Sequence, residues 1–196
     1  MSAPQPFHHG NLRAALLHAA EQTLRERGLD ALSLRDLARQ VGVSHGAPRS
    51  HFIDRQALLD ALAEGGFQRL TDEMDAAIAA ETDDFGHILR VVADSFVRFA
   101  VTDAALMDLM FTSKNVAPSA NLAAAAGRLF DGFGRLIERG IREGRLAGSD
   151  PDRLRLLFVA TLQGTALLLA SGRITAEQGD QLVEDALHLI TVPSSG

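Results

Sequence analysis

Residues 33–52 read SLRDLARQVGVSHGAPRSHF and carry the most informative helix signals of the chain. Ser33 with an acidic residue three positions later is a capping-box-like pair, so a helix is expected to begin here. Gly42 starts a break that is too short for anything except a tight turn. Ser44 is then expected to cap a very short helix that ends near Phe52. The pattern predicts two short helices separated by a tight turn.

Apolar residues recur at helical spacing on both sides of this stretch, and no convincing strand or hairpin pattern is present. The first helix ends at Gly28, where a left-handed cap is expected. A long helix is expected to begin at Asp54, which can cap it, and to run toward Ala80. The remaining sequence predicts a loop over residues 113–121 and five helices, over residues 84–100, 103–111, 122–143, 150–172 and 175–190. The fold is therefore predicted to be all-α, with about nine helices.

Two of the later helix starts carry local signals. Asp150 precedes Pro151, whose missing amide hydrogen has no cost at the first helical position. Thr175 and Gln178 form a second capping-box pair. Both signals favour sharp helix starts near the end of the chain.

The composition excludes several classes of protein. A chain of 196 residues, 46% of them hydrophobic, can bury a sizeable core. It has no cysteine, which excludes disulfides, thiol nucleophiles and cysteine-ligated zinc and fits an intracellular protein. The longest apolar run, residues 159–170, is interrupted by polar residues and is shorter than the ~20 residues that span a bilayer. Neither a membrane span nor a secretory signal is expected.

The net charge of −6 hides a difference between the two ends of the chain. The first 70 residues contain eight arginines and seven acidic residues, a net charge of +1, together with five of the seven histidines. The remaining residues carry a net charge of −7. Only the first segment is therefore suited to contact with phosphate groups.

A helix-turn-helix needs a bracing helix, a short turn and a second helix slim enough to enter the major groove, which is roughly 12 Å wide. Residues 33–52 meet this description, because small residues lead the second helix while Leu37 and Phe52 supply a core. Residues 44–52 form the recognition segment. Pro48 removes one amide donor from it, so its first turn is expected to be tight or 3₁₀-like.

Two runs of sequence resemble a known family. GVSHGAPRSHF at residues 42–52, followed by DRQALL at residues 54–59, resembles the DNA-binding signature of tetracycline-repressor-type (TetR family) transcription regulators. The resemblance implies a DNA-binding domain over residues 1–55 and a ligand-binding and dimerisation domain over residues 56–196. It also implies a cytoplasmic homodimer, more often a repressor, that binds double-stranded operator DNA and a small-molecule effector. Effector binding is expected to shift the helix that begins near Asp54.

Two further stretches are similar to one subgroup of that family: HHGNLR at residues 8–13, and the segment of residues 99–111. The subgroup is known for a Trp, His and Gly pattern in its penultimate helix. This chain has Val159 and Gln163 at the Trp and His positions and keeps Gly164.

The resemblance also implies which side chains meet DNA. The candidates for bases are His45, Gly46 and Ala47, with Arg35 for a base or a phosphate. Ser50 faces outward too, and the candidates for phosphates are Ser33, Ser44, Arg49, His51 and Arg55. Small residues permit close approach to base edges, whereas arginine and serine suit phosphate oxygens. Family members usually have Tyr where this chain has Arg49, so we expect retained affinity with a steeper salt dependence.

The second half of the chain is rich in phenylalanine and methionine, for which core packing is the simplest interpretation. As a set these residues are also candidates to line an apolar effector pocket, in which Thr161, Thr165 or a glutamine orients the ligand. The candidate pocket residues are Phe96, Phe99, Met107, Met110, Phe111, Phe130, Phe133, Phe158, Leu162 and Gln163.

The last two predicted helices contain leucines that look exposed, which favours a four-helix interface with a second copy of the chain. A dimer is also required mechanically, because two recognition segments held about 34 Å apart read half-sites one helical turn apart. The operator is therefore expected to be a near-palindrome. The candidate interface residues are Leu167, Leu168, Leu182 and Leu187.

Two other classes of function remain open. A helical small-molecule-binding or protein-interaction module with a weakened DNA-reading face is motivated by Arg49 and by the modest charge of the N-terminal segment. An enzyme is disfavoured, because no Gly-rich phosphate loop, Ser-His-Asp constellation or metal-ligand spacing is present. Adjacent histidines such as His8 and His9 are far more often solvated than bound to metal. No catalytic residue, cofactor or metal is therefore expected.

Overall fold

The computed structural model describes residues 12–79, 84–112 and 118–192. These residues form two 3₁₀ helices, Leu29–Ala31 and Ala47–Ser50, and eight α-helices: α1 (Leu12–Arg27), α2 (Leu34–Gln40), α3 (Arg55–Ala79), α4 (Phe85–Thr102), α5 (Ala104–Thr112), α6 (Ala120–Arg142), α7 (Pro151–Ala170) and α8 (Ala176–Ile190). Among them no strand is present, and one isolated antiparallel bridge pairs Leu146 with Thr191. The all-α prediction is confirmed.

The sequence predicts about nine helices, and the described residues form eight α-helices. The very short helix expected in the recognition segment is the 3₁₀ helix Ala47–Ser50. The loop predicted over residues 113–121 is too long, because α6 already begins at Ala120. Residues 113–117 of that loop lie outside the described residues, and so do residues 8–11 of the HHGNLR stretch.

Helix starts follow the short-range signals of the sequence. The Ser33 hydroxyl and the Asp54 carboxylate each accept a hydrogen bond from an amide three residues later, at 3.4 and 2.8 Å. Asp150 caps α7 in the same way, and Thr175 forms a complete capping box at the start of α8. Gly28, which follows α1, has a φ of 77°, a left-handed value that glycine adopts at little cost. These predictions are confirmed. The sequence could make them because each feature depends only on neighbouring residues.

The described chain divides into two compact units. The first contains the described residues up to Gly66 together with the described residues of Ala105–Leu122. Within it α1 packs against α2 and both 3₁₀ helices, and the Gln40 side-chain amide donates a hydrogen bond to the Thr23 hydroxyl at 3.3 Å. Its core includes buried leucines and one phenylalanine: Leu16, Leu24, Leu37, Phe52 and Leu58. The domain boundary predicted after residue 55 stays a prediction.

The second unit contains the described residues of Phe67–Ala104 and those from Ala123 onward. Within it α4 packs against α7 and α8. Three buried phenylalanines lie edge to face in its core: the ring centroids of Phe96 and Phe133 are 6.1 Å apart, and those of Phe133 and Phe158 are 5.8 Å apart. Aromatic pairs in this arrangement stabilise a core beyond the burial of their surface.

A buried carboxylate joins two segments of the first unit. Asp60 on α3 is 9% exposed. Its Oδ2 accepts a hydrogen bond from the Ser119 amide at 2.9 Å, and its Oδ1 accepts one from Gln56 Nε2 at 2.7 Å. The bond to Ser119 spans 59 residues and fixes the residue that precedes α6 against α3.

We expect Asp60→Ala to lower the free energy of unfolding by about 1–3 kcal/mol, because the hydrogen bonds that its carboxylate accepts from the Ser119 amide and from Gln56 are lost. The exposed Asp72 lies on the same helix and provides the control, since Asp72→Ala should change stability by less than about 0.5 kcal/mol. Urea unfolding followed by circular dichroism measures both variants. Equal unfolding midpoints for the two variants would contradict this prediction.

Candidate nucleic-acid interface and effector site

The recognition segment owes its shape to Pro48. An α-helix that started at Ser44 would need a hydrogen bond from the amide of residue 48, and proline has no amide hydrogen. The Ala47 amide donates to the Ser44 carbonyl instead, at 3.0 Å, and the Arg49 amide donates to the Gly46 carbonyl at 3.2 Å. Both bonds span three residues, which is the 3₁₀ pattern. The prediction of a tight or 3₁₀-like turn is confirmed.

The prediction that the Ser44 side chain caps this segment is wrong. Gly46 occupies the N-cap position of the 3₁₀ helix, and no side-chain hydrogen bond caps it. The tightened turn is the physical reason, because the Ala47 amide is already bonded to the Ser44 carbonyl. The side chain of Ser44 is exposed.

Most side chains predicted to meet DNA lie on the surface of the first unit. The exposed ones are Arg35, Ser44, His45, Gly46, Arg49, Ser50 and Arg55, and the half-buried ones are Ser33, Ala47 and His51. The Ser50 hydroxyl donates to the Ala47 carbonyl at 2.8 Å, and the Ser33 hydroxyl caps α2. Pro48 and Phe52 are buried and pack the recognition segment against the core of the first unit. DNA contact by each of these residues stays a prediction.

Two arginines support the recognition segment in a way that sequence reasoning missed. Arg55 donates from Nε to the Leu32 carbonyl at 3.0 Å and from Nη2 to the Leu29 carbonyl at 2.7 Å. The Arg13 guanidinium lies over the Phe52 ring, 5.4 Å from its centroid. No short-range signal marks these contacts, because each joins residues far apart in the chain.

The residues predicted to line an effector pocket do not share one compact unit. Met107, Met110 and Phe111 belong to the first unit, and the others belong to the second: Phe96, Phe99, Phe130, Phe133, Phe158, Leu162 and Gln163. Phe96 and Phe133 are 0% exposed and Phe158 is 2% exposed, which supports core packing for these three. An effector role for the set stays a prediction.

The second unit contains two cavities, and two residues of the predicted set, Phe158 and Leu162, line the smaller one. An apolar cavity of about 90 Å³ is lined by residues of α7 and α8, among them Leu157, Phe158, Leu162, Val183 and Leu189. A polar one of about 410 Å³ is lined among others by His87, Arg90, Arg145, Glu184 and His188. Helical spacing alone could not reveal either cavity, because it does not say which helices become neighbours.

Thr165 on α7 carries a buried hydroxyl without a partner. The residue is 0% exposed, and its Oγ1 has no hydrogen bond within the described residues. One turn earlier, the Thr161 hydroxyl donates to the Leu157 carbonyl at 2.9 Å, as helical threonines commonly do. An unsatisfied buried hydroxyl costs about 1–3 kcal/mol. A polar partner at Thr165 would therefore stabilise this unit.

The leucines predicted for a dimer interface differ in exposure. Leu167 is 64% and Leu182 is 41% exposed, whereas Leu187 is 8% exposed. The expected exposure of Leu187 is therefore wrong, because that side chain faces its own unit and lines both cavities. Leu168 is half-buried. The most exposed leucines of these two helices were not predicted: Leu156 at 71% and Leu189 at 81%.

Among the described helices, α7 is the one that is long and apolar enough to cross a membrane by length and composition. Its Phe158, Leu162 and Ala166 side chains are buried within the second unit, as in a helix of a packed bundle, so length and composition are not evidence of a membrane here. In the part of the chain that the structure describes, no group of three or more histidine, aspartate and glutamate side chains could hold a metal ion.

Two family models match the chain. "Bacterial regulatory proteins, tetR family" matches residues 16–62, and "Tetracyclin repressor-like, C-terminal domain" matches residues 89–190, more than half of the chain. Similar curated proteins include the class C tetracycline repressor of Escherichia coli, 36% identical over 86 residues, which are 44% of this chain and 38% of that protein. The chain thus spans about two fifths of the length of that relative. Likeness to the Trp-His-Gly subgroup stays a prediction.

Solved structures are similar over nearly the whole chain. A protein of unknown function from Rhodococcus sp. RHA1 is 39% identical with a TM-score of 0.85, over 94% of this chain and 96% of that one. A regulatory protein in the tetR family from Rhodococcus RHA1 has a TM-score of 0.73 over 91% of this chain and 96% of that one, and at 19% identity it shows the fold alone. The fold and the two family models point to the same family, and this chain belongs to the TetR family of bacterial regulatory proteins.

Proposed function

We propose that this chain is a ligand-responsive transcription regulator, more specifically a cytoplasmic repressor that binds a near-palindromic operator as a homodimer. The recognition segment is the observation that carries this proposal. Its buried residues Pro48 and Phe52 fix it to the first unit, while His45, Gly46 and Arg49 are exposed. A narrow exposed turn of this kind suits the major groove, which is roughly 12 Å wide.

The alternative of a ligand-binding or protein-interaction module with a weakened DNA-reading face is not favoured. Arg35 and Arg49 are exposed and make no ion pair within the described residues. They therefore leave two cations available for phosphate or base contact, as expected of a DNA-reading face that is still in use. Related proteins and the family as a whole are regulators rather than enzymes.

The exposed apolar surface of α7 and α8 supports a dimer. Leu156, Ala160, Gly164 and Leu167 are all exposed and recur at helical spacing, so they form one stripe along α7. Leu182 and Leu189 are seven residues apart on α8 and share a face there as well. Apolar stripes on two adjacent helices mark interaction surfaces rather than ordinary exposure. A second copy of the chain would cover them in a four-helix interface.

Effector binding is proposed within the second unit. The unpartnered hydroxyl of Thr165 supports an effector that is mostly apolar and carries a hydrogen-bonding group. α3 begins directly after the recognition segment and has residues in both units. An effector that shifts α3 would change the separation of two recognition segments in a dimer, and a coupling of roughly 1–3 kcal/mol suffices for a useful switch.

We expect the purified chain to bind duplex DNA from its own upstream intergenic region more tightly than an unrelated duplex. Fluorescence anisotropy between 50 and 200 mM salt measures both affinities, which should fall as the salt concentration rises. Arg35→Ala should weaken binding about 10-fold by removing an exposed cation. Arg128→Ala, which removes an exposed arginine of the second unit, is the matched control and should leave binding unchanged. Indifference of the unmodified protein to every duplex at low salt would refute the proposed function.

We expect the double variant Leu156→Asp and Leu189→Asp to be monomeric, because each change places a charge in the proposed interface. Light scattering after size-exclusion chromatography gives the mass, and circular dichroism checks that the helices remain. Ile53→Asp is the control, since Ile53 is 82% exposed but lies in the first unit. A double variant that stays dimeric at the same concentration would exclude this interface.

A further inference from the structure

The recognition segment has three ridges because a 3₁₀ turn contains three residues per turn. One ridge carries Pro48, which is buried, and His51, which is half-buried. This ridge faces the core of the first unit. A second ridge carries Ala47 and Ser50. The Ser50 hydroxyl already donates a hydrogen bond to the Ala47 carbonyl at 2.8 Å.

The third ridge carries Gly46 and Arg49 and is the most open of the three. Both residues are exposed, and a side chain built at Gly46 would meet no atom within 4 Å. The backbone at Gly46 is therefore the narrowest point of the segment and can approach another molecule most closely. Arg49 lies one 3₁₀ turn further along, about 6 Å away at the 2.0 Å rise of such a helix.

Arg49, like Arg35, differs from the arginines of its unit whose guanidinium groups have a partner. Arg13 lies over Phe52, Arg39 pairs with Asp36 at 2.9 Å, and Arg55 donates to two backbone carbonyls. Arg49 makes no hydrogen bond or ion pair within the described residues. Its planar guanidinium keeps all of its donors for a ligand.

We propose that Arg49 reads a guanine in the major groove rather than contacting a phosphate. This inference rests on the proposed DNA-binding function and changes the phosphate-facing role that the family resemblance implied for Arg49. Because Gly46 and Arg49 share a ridge, a segment that enters the groove with Gly46 against the base edges directs Arg49 to those edges too. An arginine there donates two hydrogen bonds, to the O6 and N7 acceptors of guanine.

The two roles of Arg49 differ in measurable ways. A phosphate contact adds affinity to every duplex, and its loss reduces the salt slope by about one. A guanine contact adds affinity to one sequence, and its loss relaxes the preference at that position. Lysine replaces arginine at a phosphate because a point charge suffices there, but it lacks the planar fork that donates two parallel hydrogen bonds to a base.

The experiment starts from the duplex that the unmodified protein binds best after selection from a random library. Each guanine of that duplex is replaced in turn by 7-deazaguanine, which lacks the N7 acceptor. We expect one guanine per half-site whose replacement weakens binding about 10-fold, and we expect Arg49→Ala to be insensitive to that same replacement. Arg49→Lys should bind the selected duplex less tightly than the unmodified protein does. Both variants should bind an unrelated duplex within about 3-fold of the unmodified protein.

Other results overturn the inference. Equal weakening of Arg49→Ala on selected and unrelated duplexes, with Arg49→Lys fully active and the salt slope lower by about one, identifies a phosphate contact. Absence of any 7-deazaguanine effect in the unmodified protein excludes the guanine contact directly. Failure of the unmodified protein to select or bind any duplex refutes the proposed function itself. This outcome differs from failure of the Arg49 inference, because it is seen without any change at Arg49. Circular dichroism confirms that both variants are folded, as expected for an exposed side chain.

Discussion

The missing amide hydrogen of Pro48 is the constraint from which the geometry of the recognition segment follows. Because residue 48 cannot donate to the Ser44 carbonyl, the chain closes with bonds that span three residues. Residues three apart then lie above one another, so the buried Pro48 defines a single inward ridge. Gly46 and Arg49 consequently share an outward one. An α-helix of the same length would rotate by 100° at each residue and would distribute these side chains over a wider arc.

A short turn holds such a geometry only when its surroundings fix it, since four residues of 3₁₀ helix have little stability of their own. Phe52 supplies this support by its burial and by its contact with the Arg13 guanidinium. Arg55 adds two hydrogen bonds to the 3₁₀ helix Leu29–Ala31 and the residue that follows it. The contacts come from both sides of the segment in sequence. They hold the exposed side chains on a rigid scaffold, which recognition requires.

The sequence predicted those features that depend on near neighbours. The caps by Ser33 and Thr175 and the tightened turn at Pro48 involve residues within one helical turn, so their physics is readable from the chain alone. The bond from the Ser119 amide to Asp60 and the burial of Leu187 depend on which helices meet. Helical periodicity says that a leucine lies on an apolar face but not whether that face meets its own chain or another.

Charge and shape together set how such a protein distinguishes one DNA sequence from another. The residues after position 70 carry a net charge of −7, so this larger part of the chain is repelled by phosphate, and the first 70 residues carry only +1. Sequence-independent attraction to DNA is therefore weak, since it grows with the number of neutralised phosphates. Added affinity for every duplex would not improve the sequence specificity of a regulator with this charge distribution. In the proposed function it would depend instead on a few directional contacts, and an exposed guanidinium such as that of Arg49 supplies more direction than any other cationic side chain.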